Sequence, residues 1–81
     1  MNNSYIKGSV REIFYKTDKG YMVGVFKVRE TNDDELKSYL NRTITFNGTF
    51  IDLIIDSDYK FYGEVFNHPK YGPQFKVSYY E

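Results

Sequence analysis

What constrains this chain most is a hydrophobic period of two that runs through nearly all of its 81 residues. In "TITFNGTF", Ile44, Phe46, Gly48 and Phe50 share one face while Thr45, Asn47 and Thr49 share the other, the alternation of a half-buried strand. "YKFYGEVF" repeats it, with Tyr59, Phe61, Gly63 and Val65 assigned to the core and Lys60, Tyr62, Glu64 and Phe66 to the outside. "QFKVSYY" does so again, with Phe75, Val77 and Tyr79 inward. Earlier, Met22, Gly24, Phe26 and Val28 alternate with Tyr21 and Val23, and both faces of that strand are expected to be partly covered. In "YIKGSVREIFYKT" the face shared by Ile6, Gly8 and Val10 is lost at Ile13 and Tyr15, which predicts an extra residue, a β-bulge, near Arg11-Glu12.

The interruptions are few. "TDKG" reads as a tight turn. "TNDDELKSYLNR" fits one short helix, capped by Asn32 or Thr31, with acids in its first turn and Leu36 and Leu40 four apart. Residues 51–58, "IDLIIDSD", form a connection whose Leu53, Ile54 and Ile55 are expected to plug the interior. Glycine inside a strand permits strong bending, and Gly8, Gly24, Gly48 and Gly63 point to coiled strands. Five strands, one short helix and these glycines predict an all-β, five-stranded OB-like barrel as a single domain over 1–81, with an SH3-like barrel as the alternative.

A chain this short buries only about two thirds of the surface it exposes when unfolded, so its core must be dense. Nine Tyr and seven Phe supply that density, and with no cysteine neither a disulfide scaffold nor a thiolate metal site can contribute. No apolar run approaches a membrane span, and the opening "MNNSYIK" lacks the apolar core of a signal peptide, so a soluble, cytoplasmic protein without a membrane partner is expected. The zero net charge is unevenly spread: residues 1–29 carry six Lys/Arg against two acids, 30–64 three against eight, and 65–81 two against one. A polyanion could use the first and last segments while avoiding the middle.

"NHPKYGPQFKV", residues 67–77, holds the only histidine and both prolines. Pro69 restricts His68 to extended conformations, Gly72 supplies the positive φ of a tight return, and Pro73 opens the last strand. The prolines therefore stiffen a hairpin whose tip presents His68, Lys70 and Tyr71.

"GSVREIFYKTDKGYMVGVFKV" and "GEVFNHPKYGPQFKV" together resemble the amino-terminal OB domain of RecD-like superfamily 1 DNA helicases, the exodeoxyribonuclease V alpha-like group. That family repeats a G-x-V-x-x-I-x-Y strand, a G-Y-x-V strand and an H-P-K-Y-G-x-Q-F-K-V hairpin, and the match spans about residues 8–28 and 63–77. The resemblance implies an amino-terminal fragment of a longer ATP-dependent 5′-to-3′ helicase, whose ATP and Mg would be held by motor domains beyond Glu81. The chain itself has no G-x-x-x-x-G-K-[ST] run, so no cofactor is expected within it. "RETNDDELKSYLNR" departs from the family's compact acidic turn as an insertion over 31–42.

In an OB barrel, single-stranded DNA lies across an outward face, with bases on aromatics and phosphates on cations. The candidates are Tyr62, Phe66, Tyr71 and Tyr80 for stacking, Arg11, Lys16, Lys27, Lys60, Lys70 and Lys76 for phosphates, and His68 at the hairpin tip. A single histidine with no thiolate completes neither a relay nor a metal site, and Asp52, Asp56 and Asp58 lack the spacing of a calcium loop. The fragment is thus read as non-catalytic: a single-strand-binding accessory, or alternatively a protein-docking module that packs on the remaining helicase domains or recruits a partner.

Overall fold

The computed structural model describes residues 4–81, so the first three residues of the polar opening lie outside the described residues. The strands are β1 (Ser4–Lys16), β2 (Tyr21–Thr31), β3 (Thr43–Thr49), β4 (Asp58–His68) and β5 (Gly72–Tyr80), with a 3-10 helix, Asp34–Tyr39, between β2 and β3. They close into a barrel in the order β1-β2-β3-β5-β4, β4 pairing back onto β1. Only β3 and β5 run parallel. This is the five-stranded Greek-key arrangement of an OB fold and not the SH3-like alternative.

Bending is concentrated where backbones come too close for a side chain. A Cβ on Gly8 would collide with the Lys27 carbonyl oxygen, and one on Gly63 with that of Lys76. Both glycines sit at shifts in strand register, between Lys7 and Gly8 and between Tyr62 and Gly63. The expected bulge forms as read: Val10 faces Phe26 and Glu12 faces Val25, which leaves Arg11 extra. Another shift, between Ile13 and Tyr15, leaves Phe14 extra and exposed.

Inside the barrel Phe61 lies 4.5 Å from Phe26, 5.1 Å from Phe46 and 5.3 Å from Phe50, ring centre to ring centre, at tilted and edge-on angles that suit aromatic quadrupoles. Ile6, Val10, Met22, Val28, Ile44 and Phe75 complete the enclosure.

Several expectations are corrected. On β5, Tyr79 faces Tyr62 while Val77 faces Gly63, so Ser78 is an extra residue and the parity flips after Val77. Tyr79, read as inward, is 58% exposed. Tyr80 turns in instead and packs 4.9 Å from Phe50. In the 51–58 connection only Leu53 plugs the interior; Ile54 and Ile55 are 60% and 50% exposed. The backbone there is hung from two core-packed tyrosines, the Ile51 N–H donating to the Tyr80 hydroxyl (3.0 Å) and the Ile54 N–H to that of Tyr59 (2.9 Å). That suspension leaves one side chain pointing in.

The short helix is capped by Asp33, whose carboxylate accepts from the Glu35 N–H (2.9 Å), rather than by its two predecessors. Asn32 accepts from the Tyr5 N–H, and the Thr31 hydroxyl donates to the Tyr5 carbonyl, so both are engaged in tying β2 to β1. Leu36 is buried, whereas Leu40, four residues on, is exposed because the six-residue helix has ended before it. Among the described residues no helix is long and apolar enough to cross a membrane.

Candidate nucleic-acid interface

Outward residues of β2, β3 and β5 meet the β4–β5 hairpin in a groove made of two adjoining hollows. One, of about 290 Å³, is lined by Tyr21, Asn47, Phe66, His68, Gln74 and Lys76. The other, of about 610 Å³, is lined by Phe14, Val23, Thr45, His68, Tyr71 and Gln74. His68 and Gln74 belong to both, which makes the hollows continuous. Thr45, Asn47 and Gln74 contribute uncharged polar atoms, and exposed rings stand around them: Phe14, Tyr21, Phe66 and Tyr71. The Asn47 amide donates to Gln74 Oε1 (3.2 Å), bridging β3 and β5.

The hairpin is built around its histidine. His68 faces Gly72 across the strands, leaving Pro69, Lys70 and Tyr71 as the tip, and Gly72 takes φ +81° as the return requires. His68 Nδ1 accepts from the N–H groups of Lys70 (3.0 Å) and Tyr71 (3.2 Å). This requires the imidazole with its proton on Nε2. The ring thereby fixes the tip and also packs in it, 4.8 Å from Tyr71 and 6.2 Å edge-on from Phe66. Lys70 Nζ lies 5.5 Å from the Tyr71 ring centre. Opposite, the β1–β2 turn is set by Gly20 at φ +91° and by Thr17, whose hydroxyl accepts from the Tyr21 N–H (3.1 Å).

Of the residues singled out from sequence, Phe66, His68, Tyr71 and Lys76 are brought together in the groove, with Lys70 at its hairpin edge. Tyr62 and Lys60 are not. They lie with Tyr5 and Tyr79, and the Lys60 ammonium sits 4.2 Å from the Tyr5 ring centre and 4.8 Å from that of Tyr62. The hydrogen bond to Tyr62 holds the Lys60 pKa above the usual lysine value. The Tyr5 hydroxyl donates to Glu30 (2.7 Å), which raises the Tyr5 pKa. This cluster is satisfied within the protein. Tyr80 is turned away from any outer face, its ring on Phe50 and its hydroxyl on Ile51. Arg11 pairs with Asp56 (3.7 Å). Lys16 is exposed at the end of β1, and Lys27 is half-buried on β2 opposite Thr43; neither lines the hollows. A third hollow, of about 430 Å³, has Lys7 matched to Glu30 and Arg29 to Asp58, so its cations are balanced by acids.

Sequence reasoning missed Phe14, Tyr21, Val23, Thr45, Asn47 and Gln74 as groove residues. The outward parity of Thr45 and Asn47 was legible, but a polar strand face reads equally well as plain solvent exposure. Among the described residues no cluster of three His, Asp or Glu could hold a metal ion.

No solved structure matches the chain. The family described as "ATP-dependent DNA helicase YrrC, OB-fold domain" matches residues 3–81, all but the first two. A match of that extent takes in the bent first strand, the barrel and the histidine-braced hairpin as one unit, and the chain belongs to this family of helicase OB-fold domains.

Proposed function

We propose that the domain binds single-stranded DNA in the groove between β2–β3 and the β4–β5 hairpin, as a non-catalytic accessory of a longer RecD-like helicase. The observation that carries this reading is the groove's make-up: exposed rings around an uncharged polar floor, with Lys76 in one wall and Lys70 beside the hairpin ring. Bases stack on rings and phosphates follow cations, which is how OB domains hold single strands without reading a duplex. Rigidity favours it further, since a hairpin already fixed by Pro69 and His68 loses little entropy on binding. The chain has no phosphate-binding G-x-x-x-x-G-K-[ST] run, so in this proposal ATP and Mg belong to motor domains outside it, and a cytoplasmic location follows theirs.

Titration of the domain with fluorescent oligo-dT at several salt concentrations tests the proposal. Neutralising about two phosphates, with Lys70 and Lys76, gives a log–log slope of about −1.4, and Tyr71→Ala or Phe66→Ala should weaken binding by about 1–3 kcal/mol. Absence of binding at low salt would reject it.

A second reading, a docking module that packs on the helicase motor, is favoured by Ile51, Ile54 and Ile55, which stand exposed on a braced loop at the opposite end of β4 from the hairpin. Its test is whether the domain added in trans associates with a helicase lacking it, and whether Ile54→Asp abolishes that association.

A further inference from the structure

We propose that His68 is a proton-operated latch: a second proton on its ring frees the tip of the β4–β5 hairpin and lets Tyr71 leave the groove wall. The closed tip depends on one nitrogen. Nδ1 accepts from the N–H groups of Lys70 (3.0 Å) and Tyr71 (3.2 Å) together, and it can accept only while it carries no proton. In an imidazolium both ring nitrogens are donors, so N–H would face N–H at two contacts at once. Either the ring turns away or the tip moves off. Pro69 has no N–H, and among the described residues Lys70 and Tyr71 make no hydrogen bond besides these two, so nothing else ties the tip down.

The surroundings offer the added charge no partner. Of the residues that line the two hollows with His68, those that titrate are Tyr21 of β2, Tyr71 of the tip and Lys76 of β5, while β1 and β3 contribute only uncharged groups, Phe14, Thr45 and Asn47. No carboxylate lines either hollow. Glu64 shares the outward face of β4 but lies two positions of that face away, opposite Lys76. An imidazolium would thus stand near two cations, Lys76 in the groove and Lys70 beside the Tyr71 ring, with no acid to hold the tip closed around it. The barrel core does not share this dependence, being built of apolar side chains on the inner face, so the tip can open while the barrel stays folded. For binding, two effects oppose each other: added positive charge in the groove attracts phosphates, and loss of Tyr71 removes a stacking ring. The latch sets the sign, with acid weakening the hold on a strand. That consequence, unlike the latch itself, rests on the single-strand reading above.

Two measurements on the domain between about pH 8 and pH 5, the span over which histidine side chains change charge, test the proposal. The first needs no DNA. As the His68 ring takes up its proton, followed in its carbon-bound ring protons, the amide protons of Lys70 and Tyr71 should shift upfield together, and the nuclear Overhauser contact between the His68 and Tyr71 rings, 4.8 Å apart centre to centre, should fade. Amides that stay in place, with the ring contact intact in the doubly protonated form, overturn the latch. The second is oligo-dT affinity at one low salt concentration, thymine keeping the same charge throughout. Wild type should bind about fivefold more weakly at the acid end, the low end of what a lost stacking ring costs. His68→Asn, whose side chain can brace the turn without titrating, should change by less than about twofold. Tighter wild-type binding in acid overturns the proposal by making His68 a phosphate contact, and an equal loss in the Asn variant overturns it by assigning the pH dependence to other groups. Should no strand bind at either pH, the single-strand reading fails and the amide shifts alone decide the latch.

Discussion

Replacing His68 by Phe isolates what its ring nitrogen does. The substitution keeps a flat ring between Phe66 and Tyr71 and deletes Nδ1, which accepts from two backbone N–H groups at 3.0 and 3.2 Å. Each such bond contributes about 0.5–1.5 kcal/mol net, and these N–H groups lie near solvent that can replace the acceptor, so the sum should be about 1–2 kcal/mol. For a chain of this length the unfolding entropy is about 0.17 kcal/mol per kelvin, so the midpoint should fall by roughly 6–12 °C. His68→Asn is the counterpart: its side-chain oxygen can accept from the residue two positions on, as in an Asx turn, but it has no ring. Thermal unfolding by circular dichroism should therefore rank wild type and Asn close together with Phe below them, while oligo-dT affinity should rank Phe above Asn once the folded fraction is accounted for. A Phe variant as stable as wild type would refute the brace. So would an Asn variant as unstable as Phe.

Phe61→Ala removes the ring at the centre of the aromatic core and should cost about 3–5 kcal/mol. Against a total of about 4–12 kcal/mol for a domain this size, urea titration should find little native protein left, and a loss under 1 kcal/mol would show that the core lies elsewhere. Gly63→Ala places a methyl group against the Lys76 carbonyl and should lower the unfolding midpoint clearly, whereas Gly72→Ala, which meets nothing within 4 Å but sits at φ +81°, should cost about 1 kcal/mol. Tyr5 has a pKa raised above 10.0, first by its hydrogen bond to Glu30 and then by desolvation. A pKa raised on folding contributes stability that is complete below the unfolded value and lost as pH climbs through the folded one. Wild type should thus lose more stability than Tyr5→Phe as the pH is taken past 10.0, and parallel curves would contradict the assignment.

Strand identity and most of the core were legible because one buried face imposes period two on the sequence, and the bulge at Arg11 showed as a break in that parity. The swap of Tyr79 and Tyr80 was not, since both are tyrosines and the extra residue, Ser78, marks no hydrophobic face whose slip could be seen. Ile54 and Ile55 read as core by composition, yet the loop that carries them is held by two tyrosine hydroxyls, that of Tyr80 on Ile51 and that of nearby Tyr59 on Ile54, which no hydrophobic pattern announces. The hairpin half of the groove was visible in its prolines and histidine. Its floor was hidden because Thr45, Asn47 and Gln74 become neighbours only when β3 and β5 pair in parallel, a long-range event with no local signature. Tyr62 and Lys60 had the right residue types at outward positions, and barrel closure carried them to a different face.

Mapping amide shifts of the ¹⁵N-labelled domain during titration with a short oligo-dT tests the groove most directly. The account predicts perturbations at Tyr21, Val23, Thr45 and Asn47 and along 66–76, with the amides of Tyr5, Tyr62 and Tyr79 unmoved. Shifts gathered around Tyr5, Lys60 and Tyr62 with the hairpin silent would contradict it.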